Sequence, residues 1–177
     1  MFVYEKQLQY PVRIQNPNPR LAAVIISQYG GPDGELGASL RYLSQRYTMP
    51  FDELRGLLTD IGTEELGHLE MVGAIVHQLT RNLTEEQIKA SGFDTYFVDH
   101  TTGVFPQFAS GYPWSAATMQ VTGDTIADLT EDLAADAAMA QEQQAANPVD
   151  FWCNIRYHGR DKTSICRAVS GPRRSAL

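Results

Sequence analysis

The chain has 177 residues, the size of one ordinary domain, and its 43% apolar and 10% aromatic content is enough for a packed core, which excludes global disorder. With 14 basic against 21 acidic residues the net charge is −7, so no basic face is available for phosphate contacts and nucleic-acid binding is excluded. Two cysteines, Cys153 and Cys166, exclude a disulfide framework or a four-thiolate zinc site, and no apolar run reaches the ~18 residues of a membrane span.

Residues 1–17 show no helical period and read as an extended arm, expected to pack across the domain or onto a neighbouring subunit. No basic stretch precedes an apolar run at the N-terminus, so no secretory signal is expected and the location is read as inside the cell. Asn18-Pro19 is an N-cap followed by proline at the first helical position, and Leu21, Val24, Ile25 and Gln28 follow at helical spacing. Gly30-Gly31-Pro32 interrupts that pattern. A second helix then carries Leu36, Leu40, Leu43 and Tyr47. Pro50 breaks the chain again, and 51–80 predicts one long helix with an apolar seam through Leu54, Leu58, Ile61, Val72, Ile75 and Leu79.

Thr84-Glu85-Glu86-Gln87 reads as a capping box opening a short helix that stops near Gly92. Residues 93–122 hold seven aromatics without a period, a connection too long to be idle and expected to pack on the body. Asp124 caps a further helix running to about 147, with an expected stripe of Ile126, Leu129, Leu133, position 136 and then Met139 or Ala140. Pro148 ends it. A fourth long helix is expected over 149–170, although Trp152, Ile155 and Ile165 give only a partial stripe.

The residues that interrupt these stripes carry the chemistry. Glu65 and His68 occupy the seam of the 51–80 helix, three apart and side by side. A buried carboxylate costs several kcal/mol unless it is paired or metal-bound, so the element reads either as a hydrogen-bonded pair or as half of a metal site. Glu35 opens the second helix, where an acid also favours the positive end of the helix dipole. Asp136 lies on the expected stripe of the 124–147 helix and is predicted to point inward. Three helices that each aim a carboxylate at one core are accounted for by divalent cations. Oxygen and imidazole donors without thiolate suit manganese or iron.

The stretches Tyr4-Glu5-Lys6, Gln28-Tyr29-Gly30-Gly31-Pro32-Asp33-Gly34-Glu35-Leu36, Arg41-Tyr42-Leu43, Thr63-Glu64-Glu65-Leu66-Gly67-His68-Leu69-Glu70 and Gly123-Asp124 through Ala135 stand in an order that resembles the manganese (non-haem) catalase family, most of all its spore-coat branch. The resemblance covers about residues 1–147. It implies an all-α, ferritin-like four-helix bundle with an N-terminal arm and a long crossover, formed as one domain over 1–177 whose segment 151–177 matches poorly. It also implies two manganese ions, hydrogen peroxide as substrate and a homo-oligomer located in the cytoplasm or the spore coat, where other coat proteins are partners.

Carried over by position, the resemblance makes Glu35, Glu65 and His68 the ligands of a first manganese, with Glu65 bridging to the second. Asp136 stands where the family has a Glu ligand, one methylene longer. Asp161 stands for an acidic residue behind the ligands, and Ser164 for the last His ligand. His158 lies six residues before Ser164 and is a poor substitute for it. The reading is therefore a manganese-catalase-like enzyme with an impaired second metal position. The alternative is a structural spore-coat component with little or no turnover.

Overall fold

The computed structural model describes residue 5, residues 7–93, residue 108 and residues 112–145. The regular structure among them is helical: α1 (Pro19–Gly30), α2 (Glu35–Gln45), α3 (Asp52–Thr80), α4 (Glu85–Ser91) and α5 (Thr125–Ala145), with 3-10 turns at Arg46–Thr48 and Ala116–Thr118. Asn18 caps α1 by accepting from the Leu21 N–H, and Thr84 and Gln87 close the reciprocal capping box of α4. The second helix stops at Gln45, earlier than its apolar spacing predicts, and Tyr47 is carried out into solvent by the 3-10 turn.

The long helix α3 organises the rest. Its C-terminal half packs Val72, Ile75, Val76 and Leu79 against Ala22, Ile25 and Ile26 of α1, with Phe93 and Val12 closing the cluster. Its N-terminal half packs Leu58 against Ala38 and Tyr42 of α2 and Met49, with Leu129 of α5 at the edge. Between these two apolar layers, two helical turns from Leu58 and two from Val72, lies Glu65.

The described end of the arm, from Val12 on, lies against α3. Ile14 donates its N–H to Gln78 Oε1 at 2.7 Å, and Gln78 Nε2 donates back to the Val12 carbonyl at 2.9 Å. Arg81 donates to the Ile14 carbonyl, and the Asn18 N–H donates to the Leu79 carbonyl at 2.8 Å.

One expectation fails at α5. Ile126 and Leu133 are 73% and 72% exposed, and the side turned to the body carries Asp128, Asp132 and Ala135. The cause is the polar surface that meets it: α2 presents Arg41, Tyr42 and Gln45, which need acids and amides rather than methyl groups opposite them.

Asp128 has a local task. Its carboxylate accepts from the Thr122 N–H and hydroxyl and from the Gly123 N–H, at 2.6 to 3.1 Å, and so ties the approach of the chain to the first turn of α5. Burial works against its charge, but these bonds hold the carboxyl below the usual range. Asp128→Asn is therefore expected to cost about 1–3 kcal/mol at pH 7. A depressed folded pKa gives stability that is complete above the unfolded value and is lost as pH falls through the folded one. Urea denaturation at pH 7 and in acid should show the two proteins converging in acid. An equal gap at both would assign the effect to packing.

Candidate metal centre

The turn between α1 and α2 folds the chain back on itself and delivers Glu35. Gly34 caps α2, and a Cβ there would sit 2.7 Å from the Ser27 carbonyl oxygen and 2.8 Å from that of Gln28, so only glycine lets the start of α2 press against the end of α1. Glu35 is the first residue of α2 and is 6% exposed.

A second close approach brings α3 to it. Ser39 Oγ donates to the Gly62 carbonyl at 2.6 Å, and a Cβ on Gly62 would meet Leu43 and Tyr42 at 3.0 to 3.1 Å. Glu35 lies one turn before Ser39 and Glu65 nearly one turn after Gly62, so two antiparallel helices held this close set the two carboxylates face to face. Glu35, Glu65 and His68 each offer a ligand atom, and these atoms all lie within 4.8 Å of one another. His68 Nδ1 is 2.6 Å from Glu65 Oε2 and 3.8 Å from Glu35 Oε2.

The electrostatics of the trio are unbalanced. Burial, the hydrogen bond with Glu65 and the negative charges of Glu65 and Asp136 push the Glu35 carboxyl well above its usual range. At Glu65 burial is outweighed by the hydrogen bonds from His68 and Glu35, and its carboxyl is lowered. Burial lowers the imidazole of His68, but Glu65 overcomes this and raises it. A cation among these groups would neutralise both carboxylates. Glu35 Oε2 is buried and has no hydrogen-bond partner among the described residues. Two carboxylates, one of them with a bare buried oxygen, and one imidazole Nδ1 fit a divalent manganese or iron ion, and among the described residues no thiolate joins them.

Asp136 is placed differently from these three. It lies at the solvent edge of α5 and is not part of the three-residue group. The buried Tyr42 hydroxyl donates to its Oδ1 at 2.8 Å. Asp161, Ser164 and His158 lie outside the described residues, as do His100, Cys153 and Cys166. His77 is exposed, as its position off the seam implies.

Sequence reasoning passed over Arg41 and Gln45. Both are completely buried. Arg41 Nε lies 3.2 Å from Glu131 and Nη2 3.3 Å from Asp33, joining α5 to the turn before α2. Gln45 Nε2 donates to Asp132 Oδ1 and to the Gln120 carbonyl, both at 3.0 Å. All but one of these partners are 75 or more residues away in sequence, so nothing local marks either residue as buried.

Residues 1–146 match the family described as manganese containing catalase. Protein CotJC of Bacillus subtilis is 54% identical over 136 residues, covering 77% of this chain and 71% of CotJC. A probable manganese catalase of Clostridium acetobutylicum is 36% identical over 138 residues, covering 77% of this chain and 61% of that protein. The crystal structure of wild-type KatB, a manganese catalase from Anabaena, superposes with a TM-score of 0.72 at 32% identity, covering 82% of this chain and 65% of KatB. The chain therefore spans less than two thirds of the length of these two catalases.

Proposed function

The chain belongs to the manganese-containing catalase family, with the helical, ferritin-like fold of that family, and from this premise we propose that it binds manganese and disproportionates hydrogen peroxide to water and oxygen. The observation that carries the proposal is the convergence of Glu35, Glu65 and His68 within one buried layer of a chain matched to that family over residues 1–146. When bound, manganese supplies the electron exchange: one peroxide is reduced to water and another oxidised to oxygen. The protein's own part is to hold the ligands. By the family pattern Glu65 would be the bridging ligand, while His68 presents Nδ1 to both carboxylates. The two apolar layers on either side keep bulk water from the carboxylates.

Asp136 is proposed as the carboxylate of a second manganese position, with the Tyr42 hydroxyl holding one of its oxygens. Asp161 is proposed as an acid behind that position. With Ser164 in place of the family's last imidazole, the second position is impaired and the protein holds nearer one ion than two. Residues 1–177 are read as one domain that assembles as a homo-oligomer. Asp136 lying outside the three-ligand group favours a second reading, a structural component of the spore coat with little turnover.

The test is manganese per chain and initial oxygen release after expression with manganese, in the wild type and in Asp136→Glu combined with Ser164→His. Both quantities are expected to rise in the double variant, turnover by at least about tenfold, the lower end of what even outer-shell changes cost at metal sites. Absence of manganese from the wild type would leave the structural reading. Two tightly held ions with full turnover in the wild type would refute the impaired position.

A further inference from the structure

The side of α5 that meets the body carries more negative charge than the body can neutralise. From α5 come Asp128, Glu131, Asp132 and Asp136; from α2 come Arg41, Tyr42 and Gln45; from the turn before α2 comes Asp33. The ionisable side chains of α1, which also touches α5, are Arg20 in its first turn and Tyr29, whose ring lies on Gly73 of α3. Asp128 is held as a carboxylate by the donors of Thr122 and Gly123. Glu131 and Asp33 share the Arg41 guanidinium, and Asp136 takes the Tyr42 hydroxyl.

Asp132 is left over. It is 6% exposed, and among the described residues its one hydrogen bond comes from the neutral amide of the fully buried Gln45, donated to Oδ1. Its Oδ2 is buried without a hydrogen-bond partner, and no Lys, Arg or His lies within ion-pair distance of it among the described residues. An ionised carboxylate in that setting is costly, and a proton on the bare oxygen removes the charge without disturbing the bond from Gln45.

We propose that Asp132 docks α5 onto α2 as a neutral carboxylic acid, which makes this helix seam a clasp that tightens in acid. Burial first, then the charges of Glu131 and Asp136, raise its carboxyl to about 6 against the opposing effects of Gln45 and Arg41. The folded chain therefore binds this proton more tightly than the unfolded chain, whose value is about 3.9. Stability from the group is complete below about pH 4 and is lost as pH rises through about 6.

Asp132→Asn is the neutral isostere and keeps an oxygen for Gln45. The experiment follows urea unfolding of the full chain, prepared identically with manganese, for the wild type and Asp132→Asn from pH 4 to pH 8. Relative to the variant, the wild-type unfolding constant is expected to climb by up to about tenfold per pH unit between about pH 4 and 6 and then level off. At pH 7.5 the variant is the more stable of the two. Asp132→Ala, which loses the bond from Gln45 as well, is expected to be less stable than Asp132→Asn at every pH. A wild type more stable than Asp132→Asn at pH 7.5, or an Asp132→Asn chain that does not fold, would mean that the carboxylate works in its charged form, beside a cationic partner or a bound ion, and would overturn the proposal. A difference that does not vary with pH would overturn it too.

Discussion

Glu65→Ala is expected to abolish manganese binding and oxygen release while barely affecting the stability of the metal-free chain. Glu65 makes the closest contact of the trio, 2.6 Å to His68 Nδ1, so its removal leaves Glu35 and His68 facing each other only across 3.8 Å. In metal-stripped protein the change also relieves Glu35 of a neighbouring negative charge. The net cost is therefore expected to stay below about 1 kcal/mol, against about 2–5 kcal/mol for truncating a buried leucine. With manganese at a hundred times its dissociation constant, the wild type should gain about 2.7 kcal/mol that the variant does not. Metal analysis and urea denaturation with and without manganese measure both parts. An unchanged manganese content in Glu65→Ala would remove Glu65 from the ligand set.

Gly34→Ala is expected to damage the same centre without touching a ligand. The added methyl meets two carbonyl oxygens of the backbone, at 2.7 and 2.8 Å, and neither can swing away as a flexible side chain would. The start of α2 must lift from α1, carrying Glu35 out of line with Glu65. A loss of about 1–3 kcal/mol, the usual cost of overpacking, should accompany a fall in manganese content. Gly56→Ala is the control: its Cβ meets nothing within 4 Å on an exposed turn of α3, and a gain of about 0.5–1 kcal/mol is expected there. Equal effects of the two substitutions would show that the close approach at Gly34 does not matter.

The sequence made α3 and its two ligands legible because one strong rule applies along it. Steps of three and four residues mark a buried face, and Glu65 and His68 are conspicuous as the polar interruptions. Glu35 was legible through its place in a motif, since a first-turn acid has an ordinary explanation in the helix dipole. At α5 the same rule misled. Apolar spacing pointed Ile126 and Leu133 inward, but the inward side is set by charge partners on α2. Arg41 looks like a surface residue until Asp33 and Glu131 are seen around it, and Tyr42 looks half-buried until its hydroxyl meets Asp136. Those pairings depend on long-range topology, which no local period encodes. The second helix ended early for a related reason: the chain tightens into a 3-10 turn before Met49, which fills the core place that spacing had suggested for a residue two positions earlier.

The grip on the N-terminal arm has a consequence for how this sequence can drift. Gln78 and Arg81 reach only the main chain of Val12, Ile14 and Gln15, using carbonyls and one N–H that every residue except proline can offer. This part of the arm's path is therefore specified at the far end of α3, while the Gln9 amide donating to Glu64 and the packing of Leu8 and Ile14 on the core anchor the rest. Arg13 and Gln15 are exposed and their side chains make no hydrogen bond or ion pair among the described residues, so they should tolerate exchange, whereas Val12 answers to the apolar pocket it fills. At Gln78 the reverse holds, because one amide must both donate and accept, and no charged or aliphatic replacement does both. Mutational tolerance here should thus be lopsided, permissive at Arg13 and Gln15 and exacting at the Gln78 amide that reads the main chain beside them.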